Sequence, residues 1–101
     1  MSVDTDVVID EKISVDNIEP AQYKVIFLND DTTPIDFVVE VLMLIFKHSA
    51  ETAMELTMKI HEEGSSIVGV YSYEIAETKS IETINLSRSN GFKLQVKMEK
   101  E

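Results

Sequence analysis

The sequence predicts an α+β fold in which a three-stranded antiparallel sheet packs against three helices, in the order β-α-α-β-α-β. Three observations lead to this fold class. The chain has 101 residues, which is the size of one domain. Hydrophobic residues make up 44% of it, which is enough for one core but not for two. Short β-branched runs lie between longer segments that carry helix caps, so helices are expected to cover one face of a sheet.

The first strand and the first helix are predicted on either side of a polar turn. The run YKVIFL, residues 23–28, is β-branched and aromatic and has the length of a buried strand. The turn NDDTT follows it. Thr33 suits the N-cap of a helix and Pro34 suits its first position. Residues 35–46 are almost wholly apolar, so this helix is expected to be buried on most sides.

The second helix is predicted between two capping residues, Ser49 at its start and Gly64 at its end. Thr57 and His61 fall on the same face as an apolar stripe. The stripe consists of Ala50, Ala53, Met54 and Met58, and its flanks are Leu56 and Ile60.

Two further strands and a third helix complete the predicted fold. The run SIVGVYSY, residues 66–73, reads as a strand. Ser72 suits the N-cap of a helix that extends to about Ser89, where an Asn-Gly pair stops it. The run KLQVKME alternates strictly and predicts a half-exposed strand. One face of this strand carries Leu94, Val96 and Met98.

Residues 1–22 differ from the rest of the chain. Six acidic residues interrupt short apolar groups there, Lys12 is the only base, and Pro20 closes the stretch. No helical stripe persists. We therefore predict a flexible acidic N-terminal extension over residues 1–22 and a folded core over residues 23–101.

Charge and composition argue against several classes of protein. The net charge is -10 and the pI is about 4.5, so the surface repels phosphate backbones and anionic lipid. Cysteine is absent, which excludes disulfides and thiolate metal sites. The longest apolar run falls far short of the roughly 20 residues that span a bilayer, and the N-terminus does not resemble a signal peptide. Nucleic acid and membranes are not expected as partners, and a cytoplasmic location is expected.

The most suggestive polar group is Asn29, Asp30 and Asp31, and the local pattern leaves four interpretations open. One is an Asx-turn that leads into a helix. A metal site would need further ligands, which no local spacing supplies. An acid–base pair would need carboxylates across a cleft, whereas adjacent side chains usually point apart. The fourth is a site that accepts hydrogen bonds from a cation, because several acceptors lie together in a negative field.

His61 is the second suggestive residue, because it ends an apolar stripe. It is interpreted either as a core histidine bonded to a backbone carbonyl or as part of a binding site. The metalloprotease motif HExxH is excluded, since position 65 is serine. His48 is expected to be solvated between two helices, and Glu74 and Lys79 are expected on a solvated helix face.

Three stretches, in this order, carry a resemblance: YKVIFLNDDTTPIDFVVEVL, HEEG and VGVYSYEIAETK. Together they resemble the ClpS family, the adaptors of the Clp protease, over residues 23–99. The combination of NDD-x-TP, a helix-borne histidine and GVY-x-x-EIAETK is highly specific. The resemblance implies the β-α-α-β-α-β fold, no enzymatic activity, and no cofactor or metal. It also implies binding of N-degrons, which are proteins whose first residue is Leu, Phe, Tyr or Trp, and their delivery to the ClpA unfoldase that feeds the ClpP peptidase.

The resemblance implies roles for matching positions. The α-amine of the ligand would be recognised by Asn29, Asp30, Asp31 and His61. The side-chain pocket would be lined by Thr33, Ile35, Val38, Thr57, Ile60 and Leu94. The N-domain of a ClpA-type unfoldase would dock on Glu74 and Lys79, and the acidic extension would act in handover. Methionine is frequent in the family at the positions of Ile35 and Thr57, so the ranking of first residues stays open.

Elementary energetics agree with amine recognition. An N-terminal ammonium has a pKa near ~7.7–8.0 and offers three donors. An internal residue would leave the acceptors unpaired, at about 1–3 kcal/mol for each buried group, and burial of a Leu or Phe side chain contributes roughly 1.5–3 kcal/mol. Two rival classes remain for a monomeric domain of this layout. One is an assembly domain like the ribosomal stalk protein's C-terminal domain, which would bind through helix faces without a pocket, and the other is a small hydrolase.

Overall fold

The computed structural model describes residues 21–101, and six elements follow one another in the predicted order β-α-α-β-α-β. Most of the predicted extension, residues 1–20, lies outside the described residues. Its last residue, Gln22, already belongs to the first strand. The elements are β1 (Gln22–Leu28), α1 (Ile35–Leu44), α2 (Ala50–Glu63), β2 (Ser65–Ser72), α3 (Tyr73–Ser89) and β3 (Gln95–Lys100). The α+β prediction is confirmed.

The sheet has the order β2-β1-β3, and both pairings are antiparallel. Its centre, β1, alternates between a buried and a half-exposed face, as the period of two requires. Val25 and Phe27 are both 0% exposed and belong to the core under the helices. One extra residue, Val68, lies between the partners of Val25 and Ile26, which is a β-bulge in the outer strand β2.

The bulge accounts for the position of His48, which was expected to be solvated. The imidazole Nε2 of His48 donates to the Val68 carbonyl oxygen at 2.6 Å, and the histidine is half-buried. A bulge disturbs the regular ladder, and the side chain of His48 supplies a bond at that point. The prediction that His48 is merely solvated was therefore wrong.

Helix α1 is shorter and more exposed than predicted. Its N-cap is Pro34, without a side-chain cap, and the Thr33 hydroxyl is used elsewhere, so the N-cap prediction was off by one residue. Its buried face consists of Val38, Val41 and Leu42. Leu44 at its end is 58% exposed, so the prediction of burial on most sides was wrong. The buried residues of the helix share one core with residues of the sheet and of α2, and the rest of its apolar surface faces solvent.

Helix α2 has the predicted caps, and its buried face overlaps the predicted stripe only in part. Ser49 Oγ accepts from the Thr52 N–H at 3.1 Å, and Gly64 ends the helix with a φ of 94°. The buried residues are Ala53, Thr57 and Ile60, whereas Met54 of the predicted stripe is 46% exposed. The positions i, i+4 and i+7 also form a helix face.

Helix α3 follows β2 directly from Ser72 and ends at Ser89, as predicted, although Ser72 makes no side-chain cap. Glu74 is exposed, in agreement with a solvated face. Lys79 is half-buried, and its ammonium donates to the Ile45 carbonyl oxygen at 2.7 Å, so the same expectation was wrong for it. Within residues 21–101, no helix is both long and apolar enough to cross a membrane.

Candidate binding site

The loop after β1 is built around the carboxylate of Asp30. Its Oδ2 accepts from the Thr32 N–H at 3.1 Å, from the Thr33 hydroxyl at 2.8 Å and from the Thr32 hydroxyl. The first of these bonds closes an Asx-turn, so the turn interpretation is confirmed for Asp30. The bonds from the hydroxyls of Thr32 and Thr33 lower the pKa of Asp30 below its ordinary value, which keeps the group ionised.

Two backbone contacts fix this loop against distant parts of the chain. The Asn29 N–H donates to the Gly64 carbonyl oxygen at 2.8 Å, which joins the end of β1 to the end of α2. The Lys93 N–H donates to Thr32 Oγ1 at 3.0 Å. His61 lies in the last turn of α2, so the first contact also brings it to the loop.

A cavity of about 210 Å³ lies between this loop, the start of α1 and the second half of α2. It is smaller than the pockets of about 300–1,000 Å³ that hold drug-sized ligands, and its size suits one amino-acid side chain. Its lining consists of Asn29, Asp30, Asp31, Thr33, Ile35, Val38, Thr57, Ile60 and His61.

The cavity has a polar mouth and a buried, mostly apolar floor. Asn29, Asp31 and His61 at the mouth are exposed, together with Ile35. The floor, by which we mean Val38, Thr57 and Ile60, is 5%, 2% and 3% exposed. A ligand that enters the cavity would meet hydrogen-bonding groups at the mouth and apolar surface further in.

The polar groups at the mouth have unused hydrogen-bonding capacity. Among residues 21–101, no hydrogen-bond partner contacts the side chains of Asn29, Asp31 or His61. The three bonds to Asp30 all converge on Oδ2, which leaves Oδ1 unpaired within the same residues. Amide, carboxylate and imidazole acceptors side by side can receive the donors of a cation. The described part of the chain contains no group of three or more His, Cys, Asp or Glu that could hold a metal ion.

The structure brings together nine of the ten residues that the resemblance assigned to peptide binding. The exception is Leu94, which does not line the cavity. It is 1% exposed and belongs to the core, and its N–H donates to Ser87 Oγ at 3.2 Å. Every residue of the lining was predicted. The pocket role that the resemblance implied for Leu94 stays a prediction, since Val38 and Ile60 also belong to the core and still line the cavity. Glu74 and Lys79 lie on α3, which contributes nothing to the cavity.

The three comparisons with known proteins agree. The model of the family "ATP-dependent Clp protease adaptor protein ClpS" matches residues 18–97. A ClpS adapter protein of Treponema denticola is 50% identical over 88 residues, which are 87% of each chain. One from Nautilia profundicola is 47% identical over 85 residues, 84% of this chain and 88% of the relative. The solved structure of Agrobacterium tumefaciens ClpS2 bound to L-phenylalaninamide has a TM-score of 0.79 and 42% identity, and the match covers 82% of this chain and all of the other.

Proposed function

This chain belongs to the ClpS family of Clp protease adaptors, and we propose that it binds proteins with an N-terminal Leu, Phe, Tyr or Trp and delivers them to a ClpA-type unfoldase. The family is one of adaptors and not of enzymes, which supports a binding role for the cavity. We further propose that the adaptor works as a monomer in the cytoplasm.

One observation supports this function above all: acceptors that have no partner among residues 21–101 surround the mouth of a cavity whose floor is buried. An α-ammonium has three donors, and the Asn29 amide oxygen, the Asp30 carboxylate and a His61 ring nitrogen can receive them. Hydrogen bonds to charged groups contribute about 1.5–3 kcal/mol each. An internal peptide bond carries no ammonium and would leave the same acceptors without partners.

The floor supplies the second requirement, a large apolar first residue. Burial of a Leu or Phe side chain against Val38 and Ile60 contributes roughly 1.5–3 kcal/mol. Neither the amine contacts nor the floor alone gives tight binding, so the cavity selects the combination. The ligand of the A. tumefaciens relative, L-phenylalaninamide, combines these two features, a free α-amine and an apolar side chain.

Delivery requires a second surface, which we propose on α3. Glu74 is exposed in the first turn of this helix, away from the cavity, so a partner could bind there while the cavity is occupied. Lys79, five residues further along α3, donates to the Ile45 carbonyl oxygen, so its part in docking would include holding this surface in shape. We propose handover as the role of the acidic segment that precedes β1.

The decisive experiment is a binding titration with peptides that differ only at the N-terminus. A peptide that begins with Phe should bind. Acetylation of its α-amine should weaken binding by at least about 100-fold, because it removes the charge and all but one of the donors at a site of several charge-assisted bonds. A Phe placed second, after Gly, should bind no better than the acetylated peptide. Equal affinity for the free and acetylated peptides would contradict amine recognition.

A further inference from the structure

The floor of the cavity contains one polar side chain, Thr57, between the apolar Val38 and Ile60. Thr57 is 2% exposed, so water has almost no access to its side chain. Its hydroxyl donates to the Ala53 carbonyl oxygen, one turn earlier in α2, at 2.7 Å. This bond uses the only proton of the hydroxyl.

The oxygen of Thr57 retains the capacity to accept. A hydroxyl has one donor and two acceptor lone pairs, and no group within residues 21–101 donates to this one. The floor therefore carries a hydrogen-bond acceptor that cannot also act as a donor unless the bond to Ala53 breaks. An occupant with an O–H or N–H at its far end would satisfy it, whereas a hydrocarbon occupant would not.

The position of Thr57 along α2 suits the far end of an aromatic side chain. Thr57 and His61 are one turn apart on the same helix face, which corresponds to about 6 Å along the axis. Thr57 is buried whereas His61 is exposed, so Thr57 lies deeper than His61 at the mouth. This spacing is of the same order as the length of an aromatic side chain from its backbone nitrogen to its far edge.

We infer that Thr57 is a specificity-determining residue, whose oxygen accepts a hydrogen bond from the tyrosine hydroxyl and so lets this cavity take N-terminal Tyr at least as well as N-terminal Phe. The inference rests on the proposed function. A wholly apolar floor would bury the tyrosine hydroxyl without a partner and would disfavour Tyr against Phe, although the two rings are otherwise alike. The oxygen of Thr57 removes this penalty.

The same hydroxyl chemistry occurs outside the cavity and provides a matched control. Thr83 on α3 is 0% exposed, and its Oγ1 donates to the Lys79 carbonyl oxygen, one turn earlier, at 2.8 Å. Its helix contributes no residue to the cavity. Hydrogen bonds from threonine to the preceding turn are common in helices. If the role of Thr57 were limited to that bond, Thr57→Val and Thr83→Val would have the same effect on peptide binding.

The test compares the full chain with Thr57→Val and Thr83→Val, titrated with two peptides that differ only in Tyr or Phe at position one. In the unaltered protein the Tyr peptide should bind at least as tightly as the Phe peptide. Thr57→Val keeps the shape and removes the oxygen, so the ratio of Tyr to Phe affinity should fall by about tenfold. Thr83→Val should leave the ratio unchanged. A third peptide with O-methyltyrosine, which lacks the donor, should be insensitive to Thr57→Val.

Two further measurements keep the outcome unambiguous. Thermal unfolding shows whether Thr57→Val folds. If it folds poorly, Thr57→Ser provides the second variant: it retains the oxygen, so its ratio of Tyr to Phe affinity should match that of the unaltered protein. An unchanged ratio in Thr57→Val, or a fall of the same size in Thr83→Val, overturns the inference while the proposed function stands. If neither peptide binds the unaltered chain, the proposed function fails and the inference fails with it.

Discussion

The cavity and the corner between α3 and the end of α1 both combine polar atoms with apolar surroundings. They differ in whether those polar atoms have hydrogen-bond partners within the chain. At the corner, which we define as Lys79, Ile45, Phe46 and Tyr71, the chain satisfies itself. The Lys79 ammonium bonds the Ile45 carbonyl oxygen at 2.7 Å and lies 5.8 Å and 5.3 Å from the ring centroids of Phe46 and Tyr71. At the cavity mouth, Asn29, Asp31 and His61 have no partner within residues 21–101.

The difference shows how to separate a structural polar group from a binding group. A charged group with its own partners stabilises the fold, since the bond to a carbonyl and the contact with the rings both favour the folded state. Acceptors that gather at a cavity without partners contribute little to the fold and are available to a ligand. Sequence patterns placed Lys79 on a solvated face and left a core role open for His61. In the structure Lys79 is half-buried and His61 is exposed.

The largest expected effect comes from the mouth of the cavity. The double variant Asn29→Ala with His61→Ala should weaken binding of a Phe-initiated peptide by at least about 100-fold, because two bonds to a charged group are lost. Its unfolding free energy should change by less than about 0.5 kcal/mol, since both side chains are exposed. Peptide titration and chemical denaturation measure the two quantities.

Asn85→Ala is the control for this experiment, since Asn85 is an exposed asparagine on α3 outside the cavity. It should leave both affinity and stability unchanged. A double variant that folds normally and binds the peptide with full affinity would remove the distinction between the two regions.

The next effect, of opposite kind, comes from the corner. Lys79→Met keeps the length and apolar stem of the side chain and removes the charge. It should lower the unfolding free energy by about 1–3 kcal/mol through loss of the bond to Ile45 and the contact with the rings, with peptide affinity unchanged. Thermal unfolding and peptide titration are the measurements.

Glu74→Gln separates stability from docking on the same helix. Glu74 is exposed, so its change should leave the unfolding free energy within about 0.5 kcal/mol and should weaken binding of the unfoldase N-domain if docking is direct. For the Lys79→Met variant, an unfolding free energy equal to that of the unaltered protein would show that the corner does not stabilise the fold.

The smallest effect concerns Ser80, a buried hydroxyl that belongs to neither region. It is 6% exposed, and its Oγ has no hydrogen-bond partner within residues 21–101. Ser80→Ala removes an unsatisfied group and raises helix propensity, so stability should rise by up to about 1 kcal/mol. Peptide affinity should stay the same, because Ser80 does not line the cavity. A loss of affinity in this variant would mean that unpaired polar atoms act on binding from outside the cavity.

Most residues that line the cavity could be anticipated from the sequence, but the position of Leu94 could not. The local pattern marked Asn29, Asp30, Asp31 and His61 as suggestive, and the family resemblance implied the inner wall with Thr57. In the structure these residues line one cavity. Leu94 could not be placed in this way. Its alternation with Val96 and Met98 predicts an inward side chain, but the core and the cavity both lie inward, and only packing assigns Leu94 to the core.

The sequence by itself determined the order of the elements and the caps of α2 at Ser49 and Gly64, and it offered the Asx-turn at Asp30 as one interpretation of the loop. Each depends on residues a few positions apart, because a cap or a turn is closed by its immediate neighbours. Only the tertiary structure decided the buried face of α2, the bond of His48 to a carbonyl 20 residues away and that of Lys79 to one 34 residues away. Those contacts arise when separate elements pack, and a periodic pattern specifies which residues share a face but not what that face will meet.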